Sequence, residues 1–270
     1  MTLRTAQILW ALPRSAFSRK QRNAVTAFEH IAARDLGATV VLLCDHASAA
    51  LPAPYGTLGL EPSALETHIA YDIGAAFVTR RLAARFRCAA LLGRWSRLLV
   101  DLNRGPDDPS FMVKESDGRA VPDNCSAGPE EVKRRIREFH EPYHQAIARE
   151  LDRVGPNAAI VSVHSFTPSL NGVYRPWEVG VIWDKDRRLA GSLMARLSEH
   201  GFIWGDNEPY AGALEDDCLT RHGTRRGLPN VLVEIRQDLL ASGSLAADFA
   251  ERLYPVLESA VHDMEGALAR

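Results

Sequence analysis

The chain has 270 residues, 46% hydrophobic and 24% charged, with a formal net charge of −2. These are ordinary globular proportions, long enough for one large α/β domain. Nothing resembles a basic face, which argues against a nucleic-acid partner, and no apolar run reaches the roughly 20 residues needed to cross a bilayer.

The N-terminal 36 residues read as an arm leading into a helix over 20–36. No acidic residue precedes Glu29, as in an organellar presequence, but Pro13-Arg14 breaks any secretory apolar core. "TVVLLCD" (39–45) is a buried strand that delivers Asp45-His46 at its end, followed by a Pro/Gly-rich loop. "LETHIAYDIGAAFVTRRLAARF" (65–86) has helical spacing, with Ile69, Ile73, Ala76, Phe77 and Leu82 near one face. "CAALLG" and "SRLLVDL" read as short strands, and the polar stretch 104–128 as an active-site loop.

"EEVKRRIREFHEPYHQAIARELDRV" is helical but interrupted by Pro142. It contains H-E-x-x-H at 140–144, a zinc-binding pattern on a continuous helix. Proline is welcome in the first turn of a helix and disruptive later, so a helix start near Pro142 leaves His140 outside it. That makes the match accidental as a zincin motif, while leaving His144 on the helix able to approach the site. Strands follow at "AAIVSVHSF" (158–166), "VGVIWD" (179–184) and "NVLVEIRQD" (230–238), with helices at "DRRLAGSLMARLSEHG" and from Leu245 to the C-terminus. Alternating apolar strands and amphipathic helices predict a single α/β domain over 1–270, its mostly parallel or mixed sheet covered on both faces. The four cysteines, Cys44, Cys88, Cys125 and Cys218, form no C-x-x-C pair, the pattern of reduced thiols in a cytoplasmic protein.

Ligands of such sheets bind beyond the carboxyl ends of the strands. Those ends carry Asp45-His46, Asp101-Leu102-Asn103-Arg104, His164, and Glu234 with Arg236. One buried histidine is ordinarily just a hydrogen-bonded core group, but two at separate strand ends with a carboxylate suit a zinc site with an open position. Glu234 is the candidate general base, and an ion pair with Arg236 on the same strand face is its plainer reading, compatible with that role. Asn103 and Arg104 offer an amide and a planar fork suited to a carboxylate, or a loop cap.

"CDHASAALP", "HIAYDIGAA", "SRLLVDLNR", "VHSFTP", "RPWEVGV", "DNEPY", "HGTRRGLP" and "VEIRQDL" together resemble the N-formylglutamate amidohydrolase (deformylase) family from about Val40 to Leu240. The resemblance implies a zinc-carboxypeptidase-like fold and hydrolysis of N-formyl-L-glutamate to formate and glutamate, in some bacteria the last step of histidine catabolism. It implies zinc held by His46 and His164, with Glu234 as the base and Asp45 orienting the His46 ring. "DLNR" is similar to an aspartoacylase segment that binds the substrate carboxylate, so Asn103 and Arg104, with Arg97 and the Arg175 of "RPWEVGV", become substrate-binding candidates. The wider carboxypeptidase group uses His-x-x-Glu, but Ala49 stands three residues after His46. Glu66 is the expected third ligand, with Asp72 and His68 as alternatives. The competing readings are a metallopeptidase, an N-acyl amino acid hydrolase of other specificity, and a non-catalytic carboxylate-binding protein.

Overall fold

The computed structural model describes residues 26–212 and 216–268. The helix expected over 20–36 lies partly outside these residues, and its described part is not helical: Phe28–Ile31 form strand β1. This strand pairs antiparallel with β3 (Ala89–Gly93), from Phe28 opposite Gly93 to Ile31 opposite Ala90, and so covers a backbone edge that would otherwise be open. The five buried residues Val40–Cys44 form β2, which runs parallel to β3.

The helical pattern over 65–86 yields a helix only in its second half, α1 (Ala75–Phe86). Pro62–Glu66 form a short 3-10 turn, and the chain then bends back so that the Asp72 amide donates to the His46 carbonyl at 3.0 Å. Gly74, at φ +81°, supplies the left-handed residue from which α1 starts. "SRLLVDL" is not a strand but a run of buried turns. The Ser96 hydroxyl donates to the Ala70 carbonyl and accepts from the Leu98 amide, and the Asp101 carboxylate accepts from the Asn103 amide. Such local side-chain bonds compete with ladder pairing.

The polar stretch that follows holds a small hairpin of β4 (Glu115–Ser116) and β5 (Arg119–Ala120), then α2 (Pro122–Cys125). Helix α3 (Pro129–Arg135) passes through a π-turn at Ile136–His140 into α4 (Glu141–Val154), with Pro142 in its first turn. Strand β6 (Ala159–Phe166) is entirely buried, and a hairpin of β7 (Ser169–Leu170) and β8 (Val173–Tyr174) leads to β9 (Val179–Ile182). Then come α5 (Arg188–Glu199), β10 (Trp204–Asp206), α6 (Cys218–His222), β11 (Asn230–Arg236) and α7 (Gly243–Leu268).

The main sheet has seven strands in the order β1-β3-β2-β6-β11-β9-β10. Its centre, β3 to β11, is parallel; β1 runs against β3, and β9 runs against β11 with β10 parallel to it, making the sheet mixed. Alternate side chains enter two cores. Leu42 and Val161 pack with Leu82 of α1, Leu193 of α5 and Leu253 of α7, whereas Val41 and Ile160 pack with Tyr143, Ile147 and Leu151 of α4. Helices thus cover both faces, as the sequence pattern requires. The carboxyl ends of β2, β6 and β11 lie side by side, with His164 directly opposite Glu234 in the register. Gly93 fits there because a Cβ would overlap the Asp45 carbonyl.

Candidate active site

Adjacent residues at the end of an extended strand point to opposite sides, and Asp45 and His46 divide accordingly. Asp45, 1% exposed, does not orient the His46 ring as expected. Its Oδ2 lies 3.1 Å from His164 Nε2 and accepts from the Ser162 hydroxyl, while its Oδ1 accepts from Tyr143 Oη at 2.7 Å. The residue facing His46 Nε2 is Asp101, whose Oδ1 stands 2.7 Å away. Each histidine therefore has its own buried carboxylate behind it.

The other ring nitrogens converge. His46 Nδ1 and His164 Nδ1 face the same oxygen, Asp72 Oδ2, at 3.4 and 2.8 Å. Donor atoms of His46, Asp72 and His164 all lie within 4.8 Å of one another, and all three residues are buried, so this group could hold a metal ion. Glu66 is not part of it: it sits exposed at the end of its 3-10 turn. His68 points instead to Asp117, 2.7 Å away. The bend that replaces the expected helix start carries Asp72 inward and leaves Glu66 outside.

The electrostatics favour a cation. Burial alone raises a carboxyl pKa, yet hydrogen bonds and attraction from the His46 and His164 rings hold Asp72 far below the usual carboxylate range. Asp45 and Asp101 are likewise held low despite burial, chiefly by the His164 hydrogen bond and the His46 charge respectively. Burial works against a charged His164, but its bonds to Asp45 and Asp72 outweigh this and raise its pKa well above the usual value. These groups need positive charge between the imidazoles, which protons or a divalent ion can supply. The donor set of two imidazoles and one carboxylate fits such an ion.

Glu234 stands next to this cluster. Burial pushes its carboxyl up to about 7, partly opposed by His164. Its Oε2 is buried without a hydrogen-bond partner among the described residues. The ion pair with Arg236 does not form; that guanidinium bonds Asp238 and the Pro176 carbonyl instead. A buried carboxyl poised near neutrality, with one oxygen free, has the properties of a proton acceptor.

A cavity of about 330 Å³ opens over these groups, and Arg97, Asn103, Arg104, Tyr210 and Asp217 complete its wall. A larger groove of about 500 Å³ runs along α1 and shares Asp72 with the cavity. Its charged residues Arg80 and Arg81 are already paired with Glu29 and Glu251. Convergent polar groups mark the smaller cavity as the candidate active site.

The family model for N-formylglutamate amidohydrolase matches residues 38–241. The chain belongs to the N-formylglutamate amidohydrolase family. The crystal structure of a gene product from Agrobacterium tumefaciens is 33% identical, with a TM-score of 0.84 over 89% of this chain and 96% of that one. N-formylglutamate amidohydrolase from Ralstonia eutropha is 18% identical and shares the fold, with a TM-score of 0.65 over 87% of this chain and 98% of that one. No curated protein matches the sequence significantly.

In this amidohydrolase the four expected substrate-binding residues differ in what they have left to offer. Arg97 lines the cavity, but its Nε and Nη2 both bond Asp101 Oδ2 and its Nη1 lies 3.5 Å from Asp72. The Asn103 side-chain oxygen accepts from the Cys218 amide, fixing α6 against the site. Arg104 uses Nε on Ser110 and Nη1 on the Asn103 carbonyl, and among the described residues no bond holds its Nη2. Arg175 is not in the wall; it lies behind Tyr210.

Sequence reasoning missed a second histidine group. His144 Nδ1 lies 2.8 Å from His222 Nε2, and the His140 ring is 4.1 Å from that of His144. Burial lowers all three pKa values, to about 4 for His140 and about 3 for His222. The two histidines of H-E-x-x-H therefore belong to the protein interior and not to the His46–Asp72–His164 cluster. Asp101 entered the sequence reading only as one member of a polar strand end, and Tyr210 only within a quoted segment, neither with a role of its own. The quoted "VDLNR" and "DNEPY" segments contain them, but only the tertiary structure turns them toward the site.

Proposed function

We propose that the protein is a zinc-dependent amidohydrolase that cleaves the amide bond of an N-acyl acidic amino acid, with N-formyl-L-glutamate as its substrate. The observation that carries this reading is Glu234, its buried free oxygen set beside the His46–Asp72–His164 cluster. His46, Asp72 and His164 would hold the metal, and a zinc ion there would polarise the carbonyl and acidify the attacking water. Glu234 accepts the proton of that water and returns it to the departing amine nitrogen. Asp101 and Asp45 hold the His46 and His164 rings in their ligating orientation. Arg104, through its uncommitted Nη2, binds the substrate carboxylate, with Arg97 adding positive charge at the same wall. The reduced state of the four cysteines, all free, is in keeping with a cytoplasmic enzyme, and the chemistry with a step of histidine catabolism. Among the described residues no helix is long and apolar enough to cross a membrane.

A screen of N-acyl amino acids with the zinc-loaded protein, read by amine release, tests the substrate. N-formyl-L-glutamate should be turned over fastest, and the preference should depend on Arg104. Arg104→Lys keeps the charge but loses the planar fork. A hydrogen bond to a charged group contributes about 1.5–3 kcal/mol, so the preference for acidic over neutral N-formyl amino amides should fall roughly ten- to a hundredfold. Equal losses on both substrate types would assign Arg104 to the loop it stabilises through Ser110.

Asp101→Asn probes the carboxylate behind His46. Outer partners of ligating histidines typically contribute roughly 10- to 100-fold in metal affinity, and a loss of that size is expected in competition with a chromophoric chelator. Unchanged affinity would restrict Asp101 to its bonds with Arg97 and the Asn103 amide.

A further inference from the structure

The loop leaving β10 is tied down on both sides of Tyr210. The Asn207 amide donates to the Val181 carbonyl at 2.9 Å, and its side-chain oxygen accepts from the Trp183 amide at 2.9 Å. The Glu208 carbonyl occupies the space that a Cβ at Gly180 would need, and Gly180 is the register partner of Glu234. Beyond Tyr210, Gly212 lies so close to the Trp183 carbonyl that no side chain would fit. These contacts set Tyr210 in the cavity wall shared with Glu234 and His164.

Arg175 fixes the phenol itself. It is 7% exposed, its guanidinium lies 5.1 Å from the Tyr210 ring centre and 5.9 Å from that of Phe166, and Nη1 donates to Thr167 Oγ1 at 3.2 Å. The same nitrogen donates to Tyr210 Oη at 3.3 Å. A hydroxyl that accepts from a guanidinium keeps its own hydrogen to donate elsewhere. Tyr210 is 43% exposed as a residue, but burial of its hydroxyl end, and then the nearby Glu234 charge, push its pKa further up from a value already well above neutrality. Arg97, which lines the same cavity, has its Nε and Nη2 on Asp101.

We propose, building on the amidohydrolase reading above, that Tyr210 is a further catalytic residue whose hydroxyl donates to the scissile carbonyl oxygen as negative charge develops there, with Arg175 as its positioning residue. Charge on that oxygen is greatest in the transition state, so the bond belongs to the chemical step and not to substrate binding.

Tyr210→Phe removes the hydroxyl and keeps the ring. Loss of one such donor typically lowers turnover by roughly 100-fold or more, and kcat should fall about that far with KM and zinc content little changed. Affinity for N-phosphonyl-L-glutamate, whose tetrahedral phosphorus mimics the attacked carbon, should fall by a similar factor, while affinity for the product glutamate should hold. Arg175→Met should lower kcat in the native background but have no further effect on kcat in the Tyr210→Phe background, because residues acting through one another are not additive. A kcat for Tyr210→Phe within about threefold of native, or a loss confined to KM, would overturn the proposal. Additive losses would overturn the positioning role of Arg175. If the native protein neither cleaves any N-acyl amino acid nor binds the phosphonyl analogue, the amidohydrolase reading itself fails, an outcome separate from a defect limited to the Tyr210 variant.

Discussion

Glu234→Gln should lower turnover by roughly 100- to 10,000-fold, the span typical of a positioned general acid–base group, while KM changes little. The amide has nearly the shape of the carboxyl and leaves β11 in register with β6. It cannot accept the proton, however, so the loss falls on the chemical step. Zinc content should remain at the native level, because Glu234 is outside the group of His46, Asp72 and His164. Stopped-time assays with N-formyl-L-glutamate, alongside metal analysis of the same preparation, check both halves. Near-native turnover would remove Glu234 from the chemistry. A parallel loss of zinc would make it a ligand instead.

The second large effect is expected at Asp72. Its Oδ2 is the atom on which both Nδ1 nitrogens converge, so Asp72→Ala should cost more than the roughly 10- to 100-fold in affinity that outer partners contribute, leaving little zinc after gel filtration. Glu66→Gln should retain full occupancy, since Glu66 is exposed and away from the cluster. Asp72 also accepts the Ser165 amide and stands near Arg97, so far-UV circular dichroism is needed to show that the variant is folded. A folded Asp72→Ala protein with native zinc, set against a depleted Glu66→Gln protein, would move the ligand back to Glu66.

The apolar runs of β2, β6 and β11 could be read from sequence because β2 and β6 are buried along their whole length and β11 as far as Ile235, and burial on both faces favours hydrophobic runs. Their polar ends, His46, His164 and Glu234, were legible for the same reason: nothing else in such a string tolerates a charge. The orientation of those side chains was not. Asp45 and His46 are neighbours in the chain, yet Asp45 serves His164 and Asp101, 55 residues further on, serves His46. Periodicity also misplaced the helix start, since Ile69 and Ile73 are spaced like helix residues but the Asp72 amide bonds the His46 carbonyl. Ser96 and Asp101 likewise turn an apolar stretch into tight turns through bonds no pattern records. At β1, pairing with an exposed sheet edge overrode a local helical reading.

The three donors that converge on one point are far apart in the chain: Asp72 follows His46 by 26 residues and precedes His164 by 92. An unfolded chain cannot hold them together, so an ion bound there favours the native state alone. By mass action, free metal at a hundred times its dissociation constant adds about 2.7 kcal/mol to the free energy of unfolding. With metal bound as proposed, the melting temperature of this protein would become a gauge of metal supply, because the ion would tie the ends of separate strands to the bend that carries Asp72.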